Sequence, residues 1–415
     1  MRAQKVLNGI SNIVLTLSLG EVFIFSSEDI DFEEDTDDDE TRCWINCSKI
    51  ASFGGFIFIA EIASLANASR TSLRVLWGIV LHTLGHLFDY FFAHSFQNQV
   101  SIGLMVGSGS GMIFHGVLEN WTDRKNHSLP LGWICSCLSF GGVIWSTCAH
   151  LQDIIEFTED WRLGFPLLIF WIQMLGWILF HLTSHHVVET SSSQPDVPRN
   201  IGSNAFSMLW LTNFGAVFIL TGLVTLTNRF LSEGEFILGS HQSWLLVTGG
   251  YFFNGIGYLF WGHCFDSRRN FSFQVILGGC SLGVLLLFLP WSHRSILWST
   301  LLTWCLYFSI ANPIIACSLE LFHSYSPRMA QTLISFLWLG SCIASPLVTV
   351  LIRVTLAYIT LMGLVLIMVV LSFVCAWCGY LYQRPGSDEI DASSQSTPGM
   401  FFSSPSQTYF GSRSV

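Results

Sequence analysis

The chain is 415 residues long, 51% hydrophobic and 11% charged, with a mean hydropathy of +0.53. A water-soluble domain of this composition would lack the polar surface to cover itself, so a soluble globular class is excluded and lipid becomes the expected solvent. The net charge of −10 comes without a basic stripe, which excludes nucleic-acid binding.

A membrane crossing takes ~20 apolar residues as a helix, because hydrocarbon offers no partner to an unpaired backbone group. Windows of that length predict spans at 8–26, 48–66, 74–95, 99–119, 131–150, 164–187, 205–229, 243–263, 272–291, 296–320, 329–352 and 356–382. The expected fold class is therefore an all-α membrane protein with twelve transmembrane helices. The first span lacks a small-residue cleavage site before the acidic stretch that follows and is read as a retained helix rather than a signal peptide.

Between spans one and two lies an acidic outside loop, 27–47, in which Glu28 to Glu40 holds ten carboxylates. Such a run is either a solvated loop or a cation-attracting vestibule, and it lacks the ligand spacing of an EF-hand. Cys43 and Cys47 sit in the same loop, where they can oxidise or stay free, and Asn46 opens a sequon, Asn46-Cys47-Ser48, expected to be glycosylated. The Cys375/Cys378 C-x-x-C has no second ligand pair and reads as packing.

The polar, Ser- and Pro-containing stretch His185 to Ser203 reads as a linker that divides the spans six and six. The expected organisation is an N-terminal six-helix bundle (1–187), a cytosolic linker (188–204), a pseudo-symmetric C-terminal six-helix bundle (205–382) and a disordered cytosolic tail (383–415). With the N-terminus inside, twelve Lys and Arg fall in inside segments and six outside, which places both termini in the cytosol. Plasma membrane and endolysosomal membrane fit equally, since no retention or lipidation signal is present.

Ionisable residues inside a membrane helix are expensive, so they are functional candidates by default. They are Glu21 in span one, Glu61 in span two, His82, His86 and Asp89 in span three, His115 and Glu119 near the end of span four, and Glu320 at the end of span ten. His82, His86 and Asp89 fall at i, i+4 and i+7 and so share one helix face. That pattern fits ordinary interhelical packing or a proton relay; haem or metal would need ligands from a second helix. No cofactor, metal site or enzymatic centre is expected. The break after span eight, Gly262-His263-Cys264-Phe265-Asp266-Ser267-Arg268-Arg269, is similar to the loop that latches neighbouring helices in the major facilitator superfamily, with Asp266, Arg268 and Arg269 as the latch. The matching break after span two carries Asn67 in place of the acid.

A second resemblance rests on Leu319-Glu320-Leu321-Phe322-His323-Ser324-Tyr325-Ser326-Pro327-Arg328-Met329 followed by Trp338-Leu339. This segment resembles the span ten to eleven signature of the proton-dependent oligopeptide transporter family, with the same Glu-to-Pro spacing. Glu21-Val22-Phe23-Ile24-Phe25, Gly54-Gly55, Gly107-Ser108-Gly109-Ser110-Gly111, Gly141-Gly142 and Trp161-Arg162-Leu163-Gly164-Phe165-Pro166 resemble pieces of the same family in the same order. Val22 stands where the family has its helix-one Arg, and Phe114 and His115 stand near its helix-four Lys.

The resemblance implies a transporter for a small polar organic solute, such as a peptide or amino-acid derivative, working by alternating access with proton coupling as an option. It implies substrate binding by Glu320, with Glu21 titrating or latching helix one and His115 in place of the lost lysine. Solute, protons and membrane lipid are the implied partners, and a monomer is the default for this architecture. Loss of the family's Arg and Lys also fits a different class, a transport-inactive receptor or scaffold.

Overall fold

The structure, a computed structural model, describes residues 2–23, 36–66, 71–92, 96–122, 128–155, 159–184 and 240–267, and individual residues between 300 and 350. Its elements are α1 (Arg2–Ser18), a 3-10 turn (Leu19–Phe23), α2 (Thr36–Ala66), α3 (Thr71–Phe92), α4 (Phe96–Thr122), α5 (Ser128–Ile155), α6 (Glu159–Ser184) and α7 (Ser240–Ser267). The described residues of 300–350 are helical apart from a turn at Trp338. The predicted spans at 205–229, 272–291 and 356–382 lie outside the described residues.

Helix starts follow local chemistry. α2, α3, α5 and α7 begin at Thr36, Thr71, Ser128 and Ser240. Pro130 sits in the first turn of α5, where a missing N–H breaks no helical bond. The helices also outrun the hydropathy windows. The 31 residues of α2 span about 46 Å at 1.5 Å per residue, well beyond a ~30 Å hydrocarbon core. α2 therefore starts at Thr36, inside the stretch read from sequence as a loop to residue 47, and Asn46 lies in a helix one residue before buried Cys47. Hydropathy marks where lipid ends, whereas hydrogen bonding carries the helix on into water.

Four windows meet the length and hydropathy of a bilayer crossing among the described residues: Cys47–Ser64, Ser101–Asn120, Leu131–Cys148 and Pro166–Thr183. Burial orders them: 78% of the α4 window is buried against 33% of the α6 window, so α4 is central and α6 peripheral. The outward residues are apolar, with Trp77, Phe91, Trp171 and Leu182 exposed, while Asn8, Ser11, Asn12, Ser110 and Asn120 are buried. This is the arrangement expected of a protein whose outer solvent is lipid.

α4 packs closely because it is glycine-rich on two faces. A Cβ at Gly107 would collide with the Lys49 carbonyl and Ser52 of α2, and one at Gly111 would lie 2.5 Å from the Phe53 carbonyl oxygen. On the other face, a Cβ at Gly109 would lie 2.5 Å from both the Gly78 carbonyl oxygen and the His82 nitrogen of α3. Small residues at these positions let backbones approach, which is how membrane helices gain packing energy when lipid is as apolar as their side chains.

Polar contacts tie the remaining helices. Asn120 of α4 donates to Asn8 at 2.7 Å and to Asn12 of α1 at 3.2 Å. α5 and α7 are joined by Asn254 donating to Ser139 (2.9 Å), Ser136 donating to the Gly255 carbonyl (2.9 Å) and the Ser146 and Thr248 hydroxyls 2.9 Å apart. His150 stacks on Trp244 at the end of the same contact, with ring centroids 4.7 Å apart. Asn120→Ala is expected to lower stability by about 1–2 kcal/mol, since it strands the buried amides of α1; thermal unfolding in detergent measures it.

Candidate functional site

The most polar buried cluster among the described residues gathers at the end of the helices where α2 finishes, α3 begins and α4 finishes. Glu61 sits five residues before the end of α2 and is 1% exposed; His115 of α4 is fully buried. His115 Nε2 lies 2.6 Å from Glu61 Oε2. The same carboxylate accepts from Thr332 Oγ1 (2.7 Å, on Oε1), Gln331 Nε2 (3.2 Å) and Ser335 Oγ (3.3 Å). These three residues are 270 or more positions away in the chain, and they bring the later half of the protein onto α2 and α4. His115 Nδ1 is buried and makes no hydrogen bond among the described residues.

Local sequence positions this cluster. Gly111, one turn before His115, lets α4 touch α2, and Phe114 beside it is fully buried. Phe53, Phe114 and Trp338 form a ring cluster with centroids 5.4–5.6 Å apart. Gln331, Thr332 and Ser335 fall at i, i+1 and i+4, which puts them on one helical face.

A second layer lies beside it. Arg74 of α3 pairs with Glu119 of α4, and its guanidinium also donates to the Ala60 carbonyl at 2.9 Å, the residue before Glu61. Thr71 Oγ1 donates to Glu119 at 2.8 Å. Arg74 and Glu119 are 14% and 22% exposed, so this pair lies nearer the edge than the fully buried Glu61 and His115.

A buried carboxylate costs several kcal/mol unless it is paired and hydrogen-bonded, and here the donors that meet that cost come from two different parts of the chain. The arrangement can hold a charge or a proton and can join or release two surfaces according to how well that charge is matched.

The other candidate residues are placed as follows. His82 and His86 pack edge to face at 4.8 Å, and Gln173 of α6 lies 3.4 Å from His82 Nδ1. His82 belongs to the α3–α6 contact, which also holds Ser72 of α3 bonded to His181 of α6 at 2.9 Å. Among the described residues no three His, Cys, Asp or Glu side chains come together as metal ligands would. Glu21 lies in the 3-10 turn, Asp89 in α3, Asn46 in α2 and Asp266 in the last residues of α7; their side chains, like Glu320, Arg268 and Arg269, lie outside the described residues. His115 is brought into a site, but with Glu61. Sequence reading marked Glu61 as an intramembrane acid without a role and passed over Gln331, Thr332 and Ser335. The available signal was three hydrogen-bonding residues on one face at the start of span eleven.

No protein-family model matches the chain, and no curated protein matches it in sequence. Solved structures do match in fold. The crystal structure of the major facilitator superfamily transporter FucP in the outward conformation has 13% identity and a TM-score of 0.59, covering 90% of this chain and 98% of its own. A variant of the E. coli fucose:proton symporter FucP gives 12% identity and 0.57 over 91% and 98%. An auto-inhibited peptide transporter of the POT family gives 12% identity and 0.61 over 93% and 97%. These neighbours are transporters, not enzymes, and what this chain shares with them is the fold of multi-pass membrane proteins of the major facilitator type.

Proposed function

We propose that this protein moves a small polar organic solute across its membrane by alternating access between two six-helix bundles. The observation that carries the reading is the Glu61 cluster: a buried acid of α2, in contact with the imidazole of α4, that accepts its other hydrogen bonds from Gln331, Thr332 and Ser335 in the later half of the chain. Alternating access needs surfaces that bind each other well in one state and separate in the next, and a polar contact across them meets that need better than a continuous apolar core. The named neighbours carry fucose with a proton or belong to a peptide-transporter family, which supports transport with proton coupling. Peptides and amino-acid derivatives are the first solutes to test, with Glu320 and Glu21 as binding groups.

Full-length protein reconstituted in proteoliposomes is expected to accumulate a di- or tripeptide, amino acid or monosaccharide when the outside is made acid, and to do so severalfold less without the gradient. The same solute should raise the thermal unfolding temperature of the purified protein, because binding to the folded state stabilises it by mass action. Failure of every class in both assays would reject the transport reading and favour a receptor or scaffold.

A further inference from the structure

We propose that His82 and His86 of α3, together with Gln173 of α6, hold a divalent transition-metal ion of the zinc class that ties α3 to α6 inside the membrane. The site goes beyond the transport reading: it lies on other helices than the α2–α4 acid and imidazole, and it stands or falls without any solute.

The sequence supplies one half of the ligand set. His82 and His86 are at i and i+4, so their imidazoles share one helix face, the spacing at which a helix presents two ligands to one ion. Their ring centroids stand 4.8 Å apart with the planes at 69°. A ring centroid lies ~3.2 Å from an ion bound at ~2.0–2.1 Å, so two imidazoles on one ion at 90–110° stand ~4.5–5.2 Å apart. The observed spacing falls in that range.

The fold supplies the ligand from a second helix. Gln173 is fully buried, and its Nε2 lies 3.4 Å from His82 Nδ1, long for a hydrogen bond. Its Oε1 has no hydrogen-bond partner among the described residues, and a buried carbonyl oxygen left unpaired is costly. Half a turn of the amide exchanges the two atoms and sets the oxygen beside Nδ1. Two ligand atoms on one tetrahedral ion lie ~3.3 Å apart, so the pair is spaced as neighbours in a coordination shell. The backbone that carries the imidazoles is held from behind by α4: a Cβ at Gly109 would lie 2.5 Å from the His82 nitrogen, and one at Gly85 would lie 2.7 Å from Val106 Cγ2.

The donor set chooses the ion. Two imidazoles and an amide oxygen suit borderline divalent ions, whereas calcium and magnesium take oxygen cages and copper(I) takes sulfur. These ligands are neutral, and a divalent ion in a low-dielectric interior needs a counter-charge. Asp89, the only acid in the α3 sequence, falls three residues after His86 on the same face. His82 is fully buried while His86 is half-buried, so the ion enters from the Asp89 end of the helix.

Full-length protein, purified on a histidine-free tag and stripped with a chelator, is titrated with Zn²⁺ and separately with Co²⁺. One ion per chain is expected by elemental analysis, with a rise of several degrees in unfolding temperature at saturation and, for Co²⁺, the intense visible bands of a tetrahedral site. Gln173→Leu and His86→Gln should each weaken binding by at least about tenfold. Gln173→Glu should tighten it, because it keeps the oxygen and adds the missing charge; a glutamine that only packs would give no such gain. His150→Gln and His181→Gln, histidines outside the set, should leave the affinity unchanged. Failure of both ions to bind overturns the proposal, as does binding that Gln173→Leu leaves intact or that the His150 and His181 variants weaken equally. If His86→Gln does not fold, the opposite signs of the two Gln173 variants decide. If those fail too, the Co²⁺ spectrum of the parent protein does, since the weak bands of an octahedral ion overturn the site.

Discussion

His115→Ala is expected to destabilise the protein by about 3–5 kcal/mol, the range found when a buried carboxylate loses its close partner and is left uncompensated. The truncation leaves Glu61 at 1% exposure with its hydroxyl and amide donors but without the 2.6 Å imidazole contact. Glu61→Gln should cost much less, since the amide brings no charge, its oxygen still accepts from Gln331 and Ser335, and its NH2 can donate to the Thr332 hydroxyl. In the Glu61→Gln background His115→Ala should then cost about 1–2 kcal/mol, so the double-mutant cycle closes with a coupling of about 1–4 kcal/mol. Thermal unfolding of the four proteins in one detergent measures it. Equal costs for His115→Ala in both backgrounds would show that the imidazole acts by packing alone.

Gly107→Ala should be as damaging although it adds a single methyl group. Its Cβ would fall on the Lys49 carbonyl and on Ser52, whose hydroxyl already bonds Ser48, Lys49 and Gly103 carbonyls. Overpacking usually costs about 1–3 kcal/mol when side chains can yield. Here the obstacle is backbone, so α2 and α4 must separate along their length, and a loss at or above the top of that range is expected, seen as poor recovery of monodisperse protein and a large drop in unfolding temperature. Gly9→Ala is the matched control: nothing lies within 4 Å of the added atom, and stability should stay within about 0.5 kcal/mol of the parent.

The glycine run of α4 was legible as a run; its purpose was not. Gly107-Ser108-Gly109-Ser110-Gly111 stands out in any reading, but only the packed helices show that Gly107 and Gly111 serve α2 while Gly109 serves α3. The acids tell the same story. Glu61 and Glu119 are equally visible as carboxylates in apolar helices, yet one is sealed against the far half of the chain and the other pairs with Arg74 near the edge. His82, His86 and Asp89 share a helix face by their spacing, which fits interhelical packing or a proton relay. In the folded chain His82 meets Gln173 of α6, whereas the single histidine of α4 meets an acid.

What the sequence by itself determined is the solvent and the element type: long apolar runs can enter lipid only as helices, because each backbone group must find its partner within its own segment. That requirement is local, so it can be read residue by residue. Which helices touch, and therefore which buried charge is matched, was decided by the tertiary structure. Glu61 meets Thr332 and Ser335 across more than 270 residues, and no periodicity or spacing within either segment encodes that meeting. It follows from the close approach of whole helices, which small residues permit and the cost of a lone buried charge makes specific.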